Sequence, residues 1–384
     1  MGNYTVNIAR RSIIINYQII LFSKTLSTFF VVLVVIISLP ISLAILIDIY
    51  NSWKRRDIIN IIRHSTIVGP YAAGVLKMFL MYYKRKSGQY IIEEIDSDYS
   101  HYNSLKDSYK EIINKSIANN LLYSEKCWAL TVVVCVMVFP FMAVTQTIYS
   151  YLVTSEPVKY MIHDVIIPYI EPEGRFDSPI FEICFVYMLY CCLVYVINFI
   201  GYDGFFGLSI NHACLKMELY CKALEDALKE DNEVDMHKKI VQVIQEQNKL
   251  KRFVDLIQDT FNFWLGLILI ATMIQIGTCM YLISEGYGLD LRYVIFITGT
   301  VIHIYLPCRY SAKLQHMSLE TATLIYCAGW EVVPSNKIRK TILFIIARAQ
   351  VPIEITAFNL LIFDMDLFVT ILNSSYSMYT LLRN

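Results

Sequence analysis

The sequence lacks an excess of either charge: 33 Lys and Arg stand against 33 Asp and Glu in 384 residues. That removes the electrostatic footprint nucleic-acid binding requires, so no nucleic-acid partner is expected. The spacings of catalysis are missing as well. Seven histidines (His64, His101, His163, His212, His237, His303, His316) are scattered, with no HExxH, no i, i+4 pair and no CxxC. No metal or other cofactor is implied, and no enzyme. The GYDGFFG run, Gly201 to Gly207, has no P-loop lysine and follows a helical stretch, so its glycines read as close-packing positions. Most of the ten cysteines fall inside apolar spans (Cys135, Cys191, Cys192, Cys279) or in stretches read below as cytoplasmic (Cys214, Cys221, Cys308, Cys327), which argues against a disulfide framework. Repeats, low-complexity segments and mid-span charge pairs are not apparent. The first 26 residues interleave Arg10, Arg11, Asn16, Gln18 and Lys24 with short apolar runs, so a cleavable signal is not expected.

What is abundant is apolar surface. Hydrophobic residues make up 56% of the chain, charged ones 17%, and the mean hydropathy is +0.48, too apolar for a soluble protein. Apolar spans lie near 28–50, 58–83, 127–154, 178–206, 261–283, 291–310 and 364–384. Placing the N-terminus in the cytoplasm puts the arm and stretches 84–126, 211–258 and 309–350 inside, and these hold 24 of the 33 basic residues. Lys54, Arg55 and Arg56 run against the trend; segment 155–180 is acidic and lies outside. The expected fold is an all-α membrane protein with seven transmembrane helices, a cytoplasmic N-terminus and an extracellular C-terminus. Its parts are an arm (1–27), helices one to four (28–210) with a helical inner loop (84–126) and an outer loop (155–180), a cytoplasmic helical hairpin (211–260), helices five and six (261–310), further cytoplasmic anchor helices (311–352) and a last helix (353–384).

In that last helix Asp366, Thr370, Asn373, Ser377, Thr380 and Asn384 recur at spacings of 4, 3, 4, 3 and 4, one face of an α-helix. From Asp364 to Asn384 the segment is about 31 Å long, enough to cross a bilayer. Polar groups in hydrocarbon are costly, so the row faces either other helices, through interhelical hydrogen bonds, or the water of a pore shared between subunits. Farther up the chain Met236, Ile240, Val243, Gln247, Leu250, Val254, Ile257 and Phe261 form a heptad seam, broken only by Gln247, that asks for a partner within the subunit or in another. Ser335 is a plausible N-cap for a helix over 336–350, which Pro352 stops.

A small-molecule pocket is expected in the outer halves of the spans. Candidates are Ile67 and Tyr71 in the second; Met142, Thr145, Gln146 and Tyr149 in the third; Tyr187 and Cys191 in the fourth; and Tyr293, Phe296 and Ile297 in the sixth. Aromatic rings, sulfur and single hydroxyls suit a volatile-sized ligand held by dispersion and one or two hydrogen bonds.

The ending SYSMYTLLRN, Ser375 to Asn384, preceded by DLF at Asp366 to Phe368, resembles the terminal signature of insect odorant receptors. Tyr326, Trp330 and RKTILFIIARAQVPIEITA, Arg339 to Ala357, are similar to the same family's anchor and seventh-helix region. The TYxxxxxQF-type motif of the related gustatory receptors is absent. The resemblance implies a tetrameric, ligand-gated, non-selective cation channel in the plasma membrane of sensory neurons, its single pore lined by the last helix. It also implies assembly with the family's odorant receptor co-receptor, a small volatile odorant as ligand, and contact with membrane lipid and permeating cations. The co-receptor itself resembles a longer chain, whereas 211–258 carries no insertion. By the same resemblance the gate falls near Leu381, with Asn384 at a polar constriction and Ser377 and Thr380 lining below; Asp364 and Asp366, at the inner end, would favour cations electrostatically.

Two rivals remain at this level: a metabotropic chemoreceptor signalling through G proteins, and a membrane transporter, which the lack of repeats and mid-span charge pairs weakens. Topology separates the first. An epitope tag after Asn384 is expected to bind antibody on intact cells, and staining only after permeabilisation would favour the G-protein rival.

Overall fold

The computed structural model of the protein describes residues 24–120, 126–167, 170–171, 173–286 and 291–383. Helix α1 (Lys24–Arg55) ends where Arg56 turns to φ +57°. Helix α2 (Ile58–Tyr83) begins at once, its first turn closed by the Asp57 carboxylate accepting from Asn60 N at 3.1 Å. Two amphipathic helices, α3 (Arg85–Tyr102) and α4 (Asp107–Asn120), follow at one end of the bundle, and α5 (Trp128–Val153) returns through it.

Next come two very long helices, α6 (Ile180–Ala227, 48 residues) and α7 (Glu233–Tyr281, 49 residues), each about 72 Å long. A bilayer core of about 30 Å holds less than half of that, so both project well beyond it. Asn232 caps α7 by accepting from Val234 N at 3.0 Å. Helix α8 (Leu291–Tyr326), α9 (Asn336–Ala349) and α10 (Met365–Arg383) complete the chain.

Among the described residues five helices are long and apolar enough to cross a membrane: α1, α5, α6, α7 and α8. Helix α2 carries Arg63, His64 and Lys77, and α10 is 19 residues long with a polar row, so neither is among the five. The bundle is all-α apart from a small antiparallel ribbon, β1 (Thr356–Ala357) against β2 (Leu361–Ile362), pairing Thr356 with Ile362.

The largest core lies in the projecting end. It joins α3, α4, α9, the ribbon and the inner halves of α6, α7 and α8. At its centre Tyr202, Phe205 and Phe206 of α6 meet Phe261 and Trp264 of α7 edge-on or tilted, with centroids 5.1–5.9 Å apart. The heptad seam is consumed here: Met236, Ile240, Val243, Leu250, Val254, Ile257 and Phe261 are all buried within the protomer. Its partners are therefore this chain's own helices, not another subunit. Lys216 ties the region to α3 by donating to Asp98 at 2.8 Å and to Glu94.

The ribbon is latched to α7. Gln258 exchanges hydrogen bonds with Thr356 (Nε2 to O at 3.0 Å, backbone N to Oε1 at 3.0 Å), and Asn262 Oδ1 accepts from Asn359 N at 2.9 Å. Phe358 and Asn359 reach this position with φ of +53° and +57°, a conformation L-residues rarely adopt. The Phe358 ring lies over Gly266, where a Cβ would stand only 2.1 Å from it. Gly266→Ala is therefore expected to destabilise the purified protein by about 1–3 kcal/mol, read as a lowered melting temperature that Phe358→Ala partly restores.

At the opposite end the outer loop is tied down by an ionic knot. His64 bonds to Asp48 at 3.1 Å and to His163 of the loop at 2.9 Å, while Ile166 N donates to Asp48 Oδ2 at 3.1 Å. Arg63 and Arg175 both reach Asp164, at 3.5 and 2.8 Å. Burial first, then His64, Arg63 and Arg292, hold the His163 imidazole well below the ordinary 6.5. The docked loop thus keeps His163 neutral, and the released loop binds its proton more readily. Docking is complete above 6.5 and weakens as pH falls below it. Proteolysis of the loop is expected to accelerate as pH falls from about 6.5 to about 5, and His163→Phe to flatten that dependence.

Candidate ligand cavity and polar helix face

Helices α2, α5, α6, α7 and α8 enclose a cavity of about 350 Å³, in the size range of small-molecule sites. Helix α2 supplies a wall from Ser65 to Lys77, and α7 one from Trp264 to Gln275. Most of the lining is apolar; Thr131, Thr272, Gln275 and Thr300 add scattered polar groups. Gln275 is buried, its amide nitrogen 3.5 Å from Cys279 Sγ and its oxygen above Gly69.

The inner end of the cavity is ionic. Lys77 Nζ donates to Asp203 Oδ2 at 2.7 Å, and His303 Nε2 meets the same oxygen at 2.9 Å. The ammonium sits 3.4 Å from the centre of the Phe199 ring, and Trp128 stacks on His303 with centroids 5.3 Å apart. Lys77 is 1% exposed and Asp203 7%. A buried ion pair of this kind is neutral as a unit, and removing either partner strands the other.

The second feature is α10. Ile371 and Ser375 are buried against the protomer, with Met378 beside Gly277 of α7, where a Cβ would lie 2.9 Å from Met378 Cγ. The opposite face is bare. Asp366, Thr370, Asn373 and Ser377 are exposed, Thr380 is half-buried, and Leu381 is 73% exposed. Gln275 and Gly277 are two residues apart, about 200° around a helix, so α7 presents one side to the cavity and the other to α10.

Residues 57–376 match the family model described as 7tm odorant receptor. The chain belongs to that family. Among curated relatives of this odorant receptor, Odorant receptor 13a of Drosophila melanogaster is 24% identical over 218 residues, 52% of either chain. Odorant receptor 10 of Aedes albopictus is 29% identical over 147 residues, 38% of this chain and 37% of its own. The receptor thus spans about half or less of the length of the curated relatives it matches. Solved structures that share its fold include the insect olfactory receptor OR5 from Machilis hrabei with eugenol (TM-score 0.74, 14% identity, covering 94% of this chain and 90% of that one) and OR5 alone (TM-score 0.73, 14%, 91% and 87%).

Of the pocket residues expected from the sequence, Phe296 lines the cavity of this receptor. The others have different surroundings. Tyr71 shares a 2.7 Å hydrogen bond with Ser38 of α1, and the Tyr187 hydroxyl donates to Ile37 O, so both phenols are spent on α1. Ile67 packs with Ala44, Ile45 and Val165; Tyr293 packs with Ile62, Cys279 and Leu282, with Ile297 beside them. Thr145 bonds back to Phe141 O and Met142 O, and Tyr149 is 64% exposed. Met142, Gln146 and Cys191 are half-buried away from the cavity lining.

Asp364 is occupied locally, its carboxylate accepting from Leu367 N at 2.8 Å as the cap of α10. Asn384 lies outside the described residues. Sequence reasoning missed Gln275 and the Lys77–Asp203–His303 group, and the expectation of no charge pair inside the spans is corrected by the 2.7 Å bond. The available signal was three ionisable residues inside three separate apolar spans. Among the described residues no group of three His, Cys, Asp or Glu is placed to hold a metal ion.

Proposed function

We propose that this receptor is the odorant-tuning subunit of an odorant-gated, non-selective cation channel, assembled as a tetramer with the family's co-receptor in the plasma membrane of sensory neurons. Seven spans carry it, α2 and α10 joining the five apolar helices, with the N-terminus inside. The observation that supports this reading best is the bare polar face of α10. A row of Asp366, Thr370, Asn373 and Ser377 turned away from its own protomer cannot rest in lipid, and water along an axis shared by subunits satisfies it. Leu381 then stands at the gate, where a leucine ring closes the pore by dewetting, and Ser377 and Thr380 line the pore below it. Association has its own surface at the projecting end, where Val332, Phe344 and Leu360 are each more than three-quarters exposed.

The odorant occupies the cavity lined by Phe296 and Gln275, between α7 and the four helices that carry the pocket residues expected from the sequence. The eugenol of the OR5 complex belongs to the class of small, mostly apolar molecules that the cavity suits. Ligand that shifts the position of α7 shifts α10 with it, because Gly277 and Met378 are in contact, and Leu381 moves off the axis. The buried Lys77–Asp203 pair is the single feature favouring a transporter, and substrate uptake without conductance would support that reading. Expressed with the co-receptor, Leu381→Ala is expected to raise the current measured without odorant, and an unchanged current removes Leu381 from the gate. Phe296→Trp, which fills the cavity, is expected to lower odorant sensitivity by at least about tenfold.

A further inference from the structure

Three of the four Ser and Thr hydroxyls that line the cavity are spent on their own helices. Ser65 Oγ donates to Ile62 O at 2.6 Å, Thr131 Oγ1 to Cys127 O at 2.9 Å and Thr300 Oγ1 to Phe296 O at 2.8 Å. Two residues of α7 differ. Thr272 and Gln275 stand at i and i+3, so they share a helix face with Cβ atoms about 5–6 Å apart, and both line the cavity. They are 2% and 7% exposed. Among the described residues neither Thr272 Oγ1 nor Gln275 Oε1 has a hydrogen-bond partner, and neither atom is sealed inside the protein. Both therefore open onto the cavity that their residues line.

The amide of Gln275 is held in one sense. Its Nε2 donates to Cys279 Sγ at 3.5 Å, and its Oε1 sits over Gly69 of α2, 3.0 Å from where a Cβ would stand. An amide oxygen accepts and never donates, so only a donor satisfies it. A ligand hydroxyl donates to it and, within the same reach, accepts from Thr272. An ether or carbonyl oxygen suits Thr272 but leaves Oε1 unmet, and a site built around a hydroxyl rejects the analogue that lacks one. A charged ligand finds no counter-ion, because Lys77, Asp203 and His303 are engaged with one another.

Resting on the reading of the cavity as the odorant site, we infer that it selects neutral hydroxyl compounds, alcohols or phenols on an apolar body, whose O–H donates to Gln275 Oε1 and whose oxygen accepts from Thr272 Oγ1.

The test measures currents of the receptor expressed with the co-receptor, using two isomer pairs: octanol against heptyl methyl ether, and phenylethanol against benzyl methyl ether. Each pair differs in the donor and hardly in size. In the pair that fits better the alcohol is expected to act at a concentration at least about tenfold below its ether. Equal potency within both pairs, or alcohols that neither open nor block the channel, overturns the inference. Gln275→Met keeps the length of the side chain and removes the acceptor, and is expected to bring alcohol and ether together; a retained preference overturns the inference. A preference for octanal over octanol that Gln275→Met abolishes also overturns it, since it would turn the amide nitrogen toward the ligand. If Gln275→Met does not reach the cell surface, Gly69→Ala crowds the Gln275 oxygen without altering it. The alcohol preference is then expected to shrink at least about threefold, and an unchanged one counts against Gln275. Ala271→Trp, which fills the cavity, separates the two levels. Full responses in that variant would remove the cavity as the odorant site, whereas lost responses with an unchanged alcohol preference in Gln275→Met would defeat only the role of Gln275.

Discussion

One unbroken helix, α7, holds the molecule together. Its inner half is the apolar seam of the projecting core, its middle is a wall of the cavity, and its outer half is the bed on which α10 lies. A helix cannot bend sharply without proline, a glycine pair or an inserted group, and α7 contains no proline. A stiff α7 in contact with both the cavity and α10 is the physical link on which the proposed gating relies. Two glycines on α7 make the attachment close. Gly266 admits Phe358, and Gly277 admits Met378.

Packing is unevenly distributed, and that follows from solvent. In water the core of α3, α4, α6, α7, α8 and α9 gains from burying apolar surface, and its side chains are almost completely enclosed. In lipid that gain vanishes, so the spanning helices leave much of their apolar surface facing outward, as Ile36, Leu130, Ile183 and Val186 do. Small apolar clusters still join neighbouring spans, and two polar groups tie them as well: the Asp48–His64–His163 knot outside and the Lys77–Asp203–His303 group farther in. Each joins segments distant in the chain, and each is balanced enough to be tolerated at low dielectric. A loosely packed spanning region above a rigid base leaves room for a cavity that a ligand can fill.

Much of the architecture was written in one dimension. Span positions follow from runs of apolar residues, the long hairpin of α6 and α7 from a polar turn between two helical patterns, and the polar face of α10 from residues recurring at 3 and 4. These are local properties, set by the helical period and the chemistry of successive side chains. The resemblance at Arg339–Ala357 and Ser375–Asn384 pointed to the same family that the match over residues 57–376 established.

The cavity was not legible in that way. Which side of a span faces a neighbour depends on how helices rotate against one another, and composition is nearly the same on every side of α5 and α6. Tyr71 and Tyr187 looked like pocket residues because they are aromatic and polar, yet α1 claims both hydroxyls. Lys77, Asp203 and His303 are more than a hundred residues apart at the extremes, and only folding brings their charges within 3.5 Å. The sequence alone determined a membrane bundle with a polar last helix, because hydropathy and periodicity act along the chain. Tertiary structure alone decided that this helix turns its polar face outward and that a buried ion pair ends the cavity, because both depend on contacts between distant segments.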